Sequence, residues 1–399
     1  MGKRIYEIGE IPPLGYVPDQ MYAWTIRKDR FGEPIQALKL EVIDIPYPKD
    51  DEIIVLNKFS GINYNGVWAS LGKPKNVLQD QKEDFFICGS ESSGIIYAVG
   101  EKVDKFHVGD EVICVGIQFD EQCKLYQSSR DPRVSPTFKI WGYESNWGAF
   151  AQFSLVKQCQ CMKKPKEISW TDAAGYLATG GTIYSMLHWE GNEIKPGDVV
   201  LIWGGAGGLG SNAIPIVRAF GGIPVAVVSN DERGEYCLKL GAAGYINRSE
   251  YNHWGPVNDE LFNDKKRYGN WVKNITRFRK AIWHAVGEKK DPQIVLEHPG
   301  GDTLPTSMLV CGQKGIVVLC GATSGYLATL DLRYLWLHLK RLQGSHATTM
   351  DEVEKFTDLI VNNKIKLQPP KIFPFTEVAA IHQNMYNNMI EGNCVVQIS

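Results

Sequence analysis

The sequence of 399 residues predicts an α/β protein in which a β-rich first region precedes a doubly wound parallel sheet. Three observations lead there. The stretch Val199–Ala213, VVLIWGGAGGLGSNA, runs from an apolar strand through a glycine cluster into a helix start made of small residues. Beyond Pro165 strand and helix patterns alternate, the rhythm of βαβ units. Before that point the apolar runs are short, β-rich and bounded by Gly, Asp and Pro.

In chain order, Glu52–Lys58 (EIIVLNK), Gly94–Val99 (GIIYAV) and Gly109–Val115 (GDEVICV) read as strands. Gly100–Ile113 reads as a hairpin around a small barrel, with Gly109-Asp110 supplying its turn. Trp170–Trp189 reads as a helix with Ser169 or Thr171 as its cap. Gly197-Asp198 leads into the strand at Val199. Gly222–Ser229 is a second strand, Asp231–Leu240 a helix and Gly244–Asn247 a third, short strand. Ile294–Leu296 and Gly315–Cys320 are the fourth and fifth. Glu250–Lys290, rich in Trp, Lys, Arg and Asn, is longer than a usual connection and reads as a partly helical insertion with a solvated basic face. Val353–Asn362 is an amphipathic helix, and the closing GNCVVQIS contains a strand that returns to the first region.

Composition narrows the function classes. The hydrophobic fraction is 44% and the charged fraction 22%, as in soluble globular proteins. A formal net charge of -2 gives no field for nucleic acid or an anionic membrane. No apolar run approaches the ~20 residues of a membrane span. The opening MGKRIYEIGEIPP has no apolar signal core, and Tyr6 stands where a myristoylation signal needs Ser or Thr. The nine cysteines are scattered and odd in number, which predicts reduced thiols in a cytoplasmic protein. Cys159 and Cys161 form C-x-C, which is neither a zinc nor a redox spacing.

Gly205, Gly207 and Gly210 satisfy G-x-G-x-x-G. The spacing serves a tight strand-to-helix turn, close backbone approach to a pyrophosphate, and close packing of helix on sheet. The helix start, Gly208-Leu209-Gly210, offers N–H groups and a partial positive charge to phosphates. An NAD site expects a carboxylate at the end of the second strand. Here that strand ends Val227-Val228-Ser229-Asn230, and Arg233 lies just beyond. Ser229 and Arg233 suit a 2′-phosphate, so NADPH is the expected cofactor. Asp231 and Glu232 fit a helix start, where carboxylates are favourable.

Several segments carry a family resemblance: Asn63–Ala69 (NYNGVWA), Ile140–Phe153 (IWGYESNWGAFAQF), Leu201–Gly210, Leu296–Gly300 (LEHPG) and Thr323–His346 (TSGYLATLDLRYLWLHLKRLQGSH). With them the chain resembles the medium-chain dehydrogenase/reductases, in the branch of crotonyl-CoA carboxylase/reductases and related 2-enoyl-CoA reductases. The resemblance runs from about residue 20 to the end. It implies a zinc-free reductase with a GroES-like β-rich catalytic domain and a Rossmann domain. The expected boundaries are 1–168 for the first part of the catalytic domain, 169–349 for the nucleotide domain with its insertion at about 250–290, and 350–399 for the return. Zinc relatives carry an early Cys and a later Gly-His-Glu. This chain has Asn63-Tyr64-Asn65 and Gly89-Ser90-Glu91 instead, and no tight four-cysteine run, so no metal is expected.

Carried over residue by residue, the carbon dioxide site of the carboxylating relatives falls on Asn65, Tyr143, Glu144 and His346. Tyr143 departs from the family's Phe, and its hydroxyl makes that wall more polar. An Asn amide can donate a hydrogen bond to a carbon dioxide oxygen, as can a neutral His or a water it holds. Glu144 can orient His346 or pair with the other domain. The resemblance also places Thr182, in GGTIYSML, near the nicotinamide amide, His298 near the cofactor, and Arg333 on the nucleotide end of coenzyme A. Each residue has a simpler alternative. Asn65 can cap a helix beginning at Gly66, Glu144 can be a surface carboxylate, His346 a hydrogen-bonded structural histidine, and His298 a turn residue. Asp331–Lys340 can be a helix with Leu335, Trp336 and Leu339 packed inward and its basic residues solvated. A second departure is Leu332, where the carboxylating relatives are expected to have Asn.

The resulting expectation is an NADPH-dependent reductase of short 2-enoyl-CoA thioesters such as crotonyl- or acryloyl-CoA. Its enolate is either protonated or carboxylated by carbon dioxide to an alkylmalonyl-CoA. A zinc-free quinone or enone reductase and a non-catalytic NADPH-binding protein are the alternatives. The superfamily resemblance also implies a homodimer or homotetramer.

Overall fold

The computed structural model describes residues 2–79 and 81–399. They form two compact units. One comprises the chain up to Thr179 with Ala347–Val361 and Pro369–Ser399; the other comprises Gly180–His346 with Asn362–Gln368.

The first unit is organised by the strand Glu52–Ile62, an eleven-residue run with a mostly buried β-branched and aromatic sequence. Ser92–Val99 lies antiparallel along one edge. The other edge is shared: Phe153–Lys157 takes its first half and Cys394–Gln397 its second. The last residues of the chain therefore complete this sheet. Register shifts at Ile54/Val55 and Asn57/Phe59 add local twist. Glu111–Cys114 and Cys161–Lys163 extend the sheet on one side, and Lys371–Pro374 on the other. A second sheet places Gln20–Arg27 between Lys39–Asp44 and Phe85–Ile87.

Residues 169–179, assigned by sequence to the second domain, pack in the first unit. The Ser93 hydroxyl donates to the Trp170 carbonyl at 2.7 Å, and Gly61 has no room for a Cβ because the Ala174 carbonyl lies 2.5 Å from that position. The single helix expected over Trp170–Trp189 is also interrupted. An α-helical turn at Trp170–Gly175 gives way to a π-helical turn at Leu177–Gly181 and then to a short helix, Thr182–Leu187. The cause is distant in sequence: the Ala178 N–H donates to the Glu91 carboxylate at 2.8 Å, which draws it out of the regular ladder. Gly175, Gly180 and Gly181 make that departure inexpensive.

In the second unit six parallel strands run in the order Gly244–Asn247, Ile223–Val228, Val199–Trp203, Ile294–Glu297, Ile316–Leu319, Arg341–Gly344. Numbered along the chain this is 3-2-1-4-5-6, the dinucleotide-binding order whose reversal lies between the first and fourth strands. Val199–Trp203 is buried throughout, as a central strand covered on both faces should be. The insertion is mainly one helix, Lys265–Val286, capped by the Asp264 side chain. Its buried residues Trp271, Ile275, Phe278 and Ile282 recur every three or four positions. Phe278 stacks on Trp203 with ring centres 5.9 Å apart.

Asp331–Lys340 is not an inward-packed helix. Only Arg333–Trp336 is helical; Trp336 and Leu339 are each 59% exposed. Leu335 packs partly buried against the core, and Lys340 also turns inward: its ammonium donates to the carbonyls of Met308 at 2.7 Å and Leu309 at 2.9 Å. The last carbonyls of the helix Leu304–Val310 need donors, and a lysine stem can bury itself to supply them. Among the described residues no helix is long and apolar enough to cross a membrane.

Candidate active site

The glycine turn is built as its spacing predicts. A Cβ on Gly205 would fall 2.6 Å from the Ala226 Cβ, and one on Gly210 would fall 2.4 Å from the Gly204 carbonyl oxygen. These two glycines serve packing. At Gly207 the nearest atom to such a Cβ is 3.4 Å away, so its absence leaves open the space in front of the turn. The helix Gly208–Ala219 starts there, and the first N–H groups of a helix lack acceptors within it. Gly208, Leu209 and Gly210 thus open a helix whose start is unobstructed, the kind of end that takes a phosphate, and the residues present fit a dinucleotide.

Gly204, outside the motif, is equally constrained. Its φ is +60° and a Cβ would meet the His298 ring at 2.5 Å. The His298 Nε2–H donates to the Trp203 carbonyl at 3.1 Å, and desolvation pushes the imidazole down to about 4. His298 is therefore a neutral ring bracing the turn. Its neighbour Glu297 is fully buried and accepts from Ser307, from Thr303 at 2.7 Å and from the Gly300 N–H at 3.2 Å. Burial pushes this carboxyl up to about 7 against those bonds. Leu209 and Gly210 join Ile183, Met186, Leu296 and His298 in lining a small cavity. Thr182 opens the helix that carries Ile183 and Met186.

At the second strand, Asn230 caps the helix Asp231–Leu240 by accepting from the Arg233 N–H at 2.9 Å. Asp231 accepts from the Asn247 side chain at 3.1 Å, which commits it to the helix start. Val228 and Asn247 are register partners on adjacent parallel strands. Ser229 and Arg248 directly follow these partners at the carboxyl ends of the two adjacent strands, Arg248 opening a 3-10 turn. Arg248 is exposed and was not identified from the sequence; the signal that reveals it is the strand register.

In the first unit, Asn65 lies inside the first turn of the helix Tyr64–Leu71 and is not its cap. Asn63 holds the cap position, but its amide goes to Glu91 Oε1 at 2.8 Å. The Asn65 Nδ2 donates to the Ser90 Oγ at 3.3 Å. Tyr143 and Glu144 sit in a tight turn where the N–H groups of Tyr143, Glu144 and Ser145 all converge on the Ile140 carbonyl. Glu144 Oε2 closes that turn by accepting from the Ile140 N–H at 2.9 Å. The Tyr143 hydroxyl donates to the Lys73 carbonyl at 2.8 Å, just past the helix that bears Asn65. Asn65, Tyr143 and Glu144 thus share one unit. His346 is exposed and closes the main segment of the other unit, directly after Ser345, whose N–H donates to the Leu319 carbonyl at 2.8 Å. Arg333 forks onto Asp331 and lies over the Phe262 ring at 5.2 Å.

Residues 49–166 match the family described as alcohol dehydrogenase GroES-like domain, and residues 208–362 the family described as zinc-binding dehydrogenase. The donor set does not fit that ion: Asn63-Tyr64-Asn65 and Gly89-Ser90-Glu91 supply neither the Cys nor the His of the zinc relatives, and among the described residues no three His, Cys, Asp or Glu side chains form a metal-binding group. The chain is 42% identical to the crotonyl-CoA carboxylase/reductase of Cereibacter sphaeroides, over 99% of this chain and 92% of that one. It superimposes on a crotonyl-CoA carboxylase/reductase, AntE, solved in complex with NADP, with TM-score 0.93, 44% identity and 99% of each chain covered. The 2-octenoyl-CoA carboxylase reductase CinF, solved with NADP and 2-octenoyl-CoA, matches with TM-score 0.86 and 31% identity over 96% of this chain and 88% of that one.

Proposed function

The chain belongs to the crotonyl-CoA carboxylase/reductase branch of the medium-chain dehydrogenase/reductases, and from that membership we propose that it reduces short 2-enoyl-CoA thioesters with NADPH and carboxylates the resulting enolate with carbon dioxide. The observation that carries this reading is 42% identity sustained over 99% of the chain, which spans both units.

The cofactor's pyrophosphate is held at Gly205–Gly210, its 2′-phosphate by Ser229, Arg233 and Arg248, and its nicotinamide amide near Thr182. When bound, NADPH supplies the hydride that adds to Cβ of the enoyl group. The chain's own residues set the fate of the enolate. The thioester carbonyl takes up the negative charge, and Cα becomes the nucleophile. Asn65 donates an N–H to an oxygen of carbon dioxide, which holds its carbon toward Cα. A C–C bond forms at Cα while one C–O π bond of carbon dioxide opens to a carboxylate; no hydride or outside electron is needed in that step. His346, or a water it holds, is a second donor to the developing carboxylate charge. Glu144 keeps the turn at Tyr143 closed. Arg333 contacts the nucleotide end of coenzyme A, where a guanidinium suits both phosphate and adenine.

The reading includes a cytoplasmic homodimer or homotetramer. All nine cysteines are free thiols. Arg341–Gly344 is an edge strand, and Leu332, Trp336, Leu337 and Leu339 are exposed in the segment leading into it. A second copy of the chain that pairs with this edge covers that apolar surface.

The test follows NADPH and NADH absorbance with acryloyl- or crotonyl-CoA. Rapid oxidation of NADPH, with NADH much slower, is expected. No oxidation with any enoyl thioester overturns the reading in favour of an enone reductase or a non-catalytic binder.

A further inference from the structure

The segment Gly89-Ser90-Glu91 underlies the proposed carbon dioxide site without being part of it. Gly89 has a φ of +107° and packs backbone to backbone against Gly142; a Cβ on Gly142 would fall 2.0 Å from the Gly89 carbonyl oxygen. Gly142 directly precedes Tyr143 and Glu144. Ser90 is 3% exposed, and its carbonyl is hemmed in by Gly116, where a Cβ would come within 2.8 Å. Its hydroxyl oxygen accepts from the Asn65 amide at 3.3 Å. Glu91 is 2% exposed and uses one carboxylate oxygen for the Asn63 amide and the other for the Ala178 N–H, each at 2.8 Å. Three consecutive residues thus hold the Tyr143 turn, the Asn65 side chain and the start of the Asn65 helix.

We propose that Ser90 is a positioning residue for carbon dioxide capture: its hydroxyl holds one N–H of the Asn65 carboxamide and thereby presents the other N–H to a carbon dioxide oxygen. The proposal rests on the carboxylating reading under Proposed function. A terminal amide torsion is broad and roughly two-fold. An unheld Asn65 therefore presents its carbonyl oxygen as readily as its nitrogen. An oxygen turned toward carbon dioxide repels it and attracts water, which is the competing proton source. A buried hydroxyl on a rigid turn selects between the two orientations, because only one N–H is needed to satisfy it and Nδ2 has two.

The test uses the full-length protein with NADPH, crotonyl-CoA and ¹³C-bicarbonate plus carbonic anhydrase. The ratio of labelled alkylmalonyl-CoA to saturated acyl-CoA is measured for wild type, Ser90→Ala, Ser90→Thr, Asn65→Ala and the Ser90→Ala/Asn65→Ala double variant. The ratio is set within each turnover, so loss of folded protein does not change it. Ser90→Ala is expected to lower it about fivefold, the size of one neutral hydrogen bond. Ser90→Thr, which keeps the hydroxyl, restores most of it. In the Asn65→Ala background, Ser90→Ala has no further effect. If Ser90→Ala does not fold, Ser90→Cys, with its weak acceptor, carries the same expectation. An unchanged ratio in Ser90→Ala, or an equal drop in the Asn65→Ala background, overturns the proposal while the carboxylating reading stands. A wild type that forms no labelled product overturns both.

Discussion

The Tyr143 hydroxyl donates to the Lys73 backbone carbonyl at 2.8 Å. Lys73 in turn donates its N–H to the Trp68 carbonyl at 3.1 Å, so the bond ties the Tyr143 turn to the end of the Asn65 helix. From the sequence, this hydroxyl is a polar departure that makes the wall of the expected carbon dioxide site more polar. In the structure its proton is committed to the main chain. Tyr143→Phe is therefore expected to cost about 1 kcal/mol of stability, one net hydrogen bond, and to move the carboxylated-to-protonated product ratio less than about twofold. Denaturant unfolding and product mass check the two halves; a large change in the ratio contradicts the assignment.

Arg233 and Arg248 are proposed to hold the 2′-phosphate. Losing one charge-assisted hydrogen bond costs about 1.5–3 kcal/mol, or roughly 10- to 150-fold in affinity. Each alanine variant is expected to raise the KM for NADPH by about that factor and to leave the KM for NADH nearly unchanged. Equal losses for both cofactors place these side chains elsewhere.

His253 is 4% exposed, and neither ring nitrogen has a hydrogen-bond partner. It packs among Tyr251, Trp254 and Phe278. Burial pushes its pKa down to about 4, against about 6.5 in an unfolded chain. Between those values the unfolded state binds more protons, so stability rises with pH. The contribution is fully present above about pH 6.5 and is lost as the pH falls to about 4, up to ~3 kcal/mol. His253→Phe removes this loss. Its stability relative to wild type is expected to rise between about pH 7 and about pH 5 in urea unfolding; a pH-independent difference contradicts the assignment.

Lys340 supplies two hydrogen bonds to the end of the helix Leu304–Val310. Lys340→Met keeps the apolar stem and strands both carbonyls, at a cost of about 1–3 kcal/mol for buried unsatisfied acceptors. A midpoint of unfolding unchanged from wild type argues that water or a neighbour replaces the ammonium.

The features legible in the sequence are local. The strand ending at Trp203, the glycine turn and the helix at Asp231–Leu240 are encoded in consecutive residues. Ser229 and Arg233 emerge from reading past the end of one strand. Arg248 does not, because its place at the neighbouring strand end depends on the pairing of Val228 with Asn247. The helix at Trp170 looks continuous until Glu91, 87 residues away, takes the Ala178 N–H. Leu335, Trp336 and Leu339 look like a core stripe, yet only Leu335 packs on the core; Trp336 and Leu339 are exposed, and the needs of another helix turn Lys340 inward. Ser90 is visible as a serine where zinc relatives have histidine, but its contact with Asn65 belongs to the tertiary fold.

Carboxylation of the enolate is tested most directly by product mass. Purified protein is given NADPH and crotonyl-CoA with ¹³C-bicarbonate and carbonic anhydrase, and NADPH oxidation is monitored alongside. The prediction is a labelled alkylmalonyl-CoA formed in step with NADPH consumed. NADPH oxidation that yields only saturated acyl-CoA, whatever the bicarbonate concentration, contradicts the carboxylation of the enolate and leaves a reductase whose Cα takes a proton.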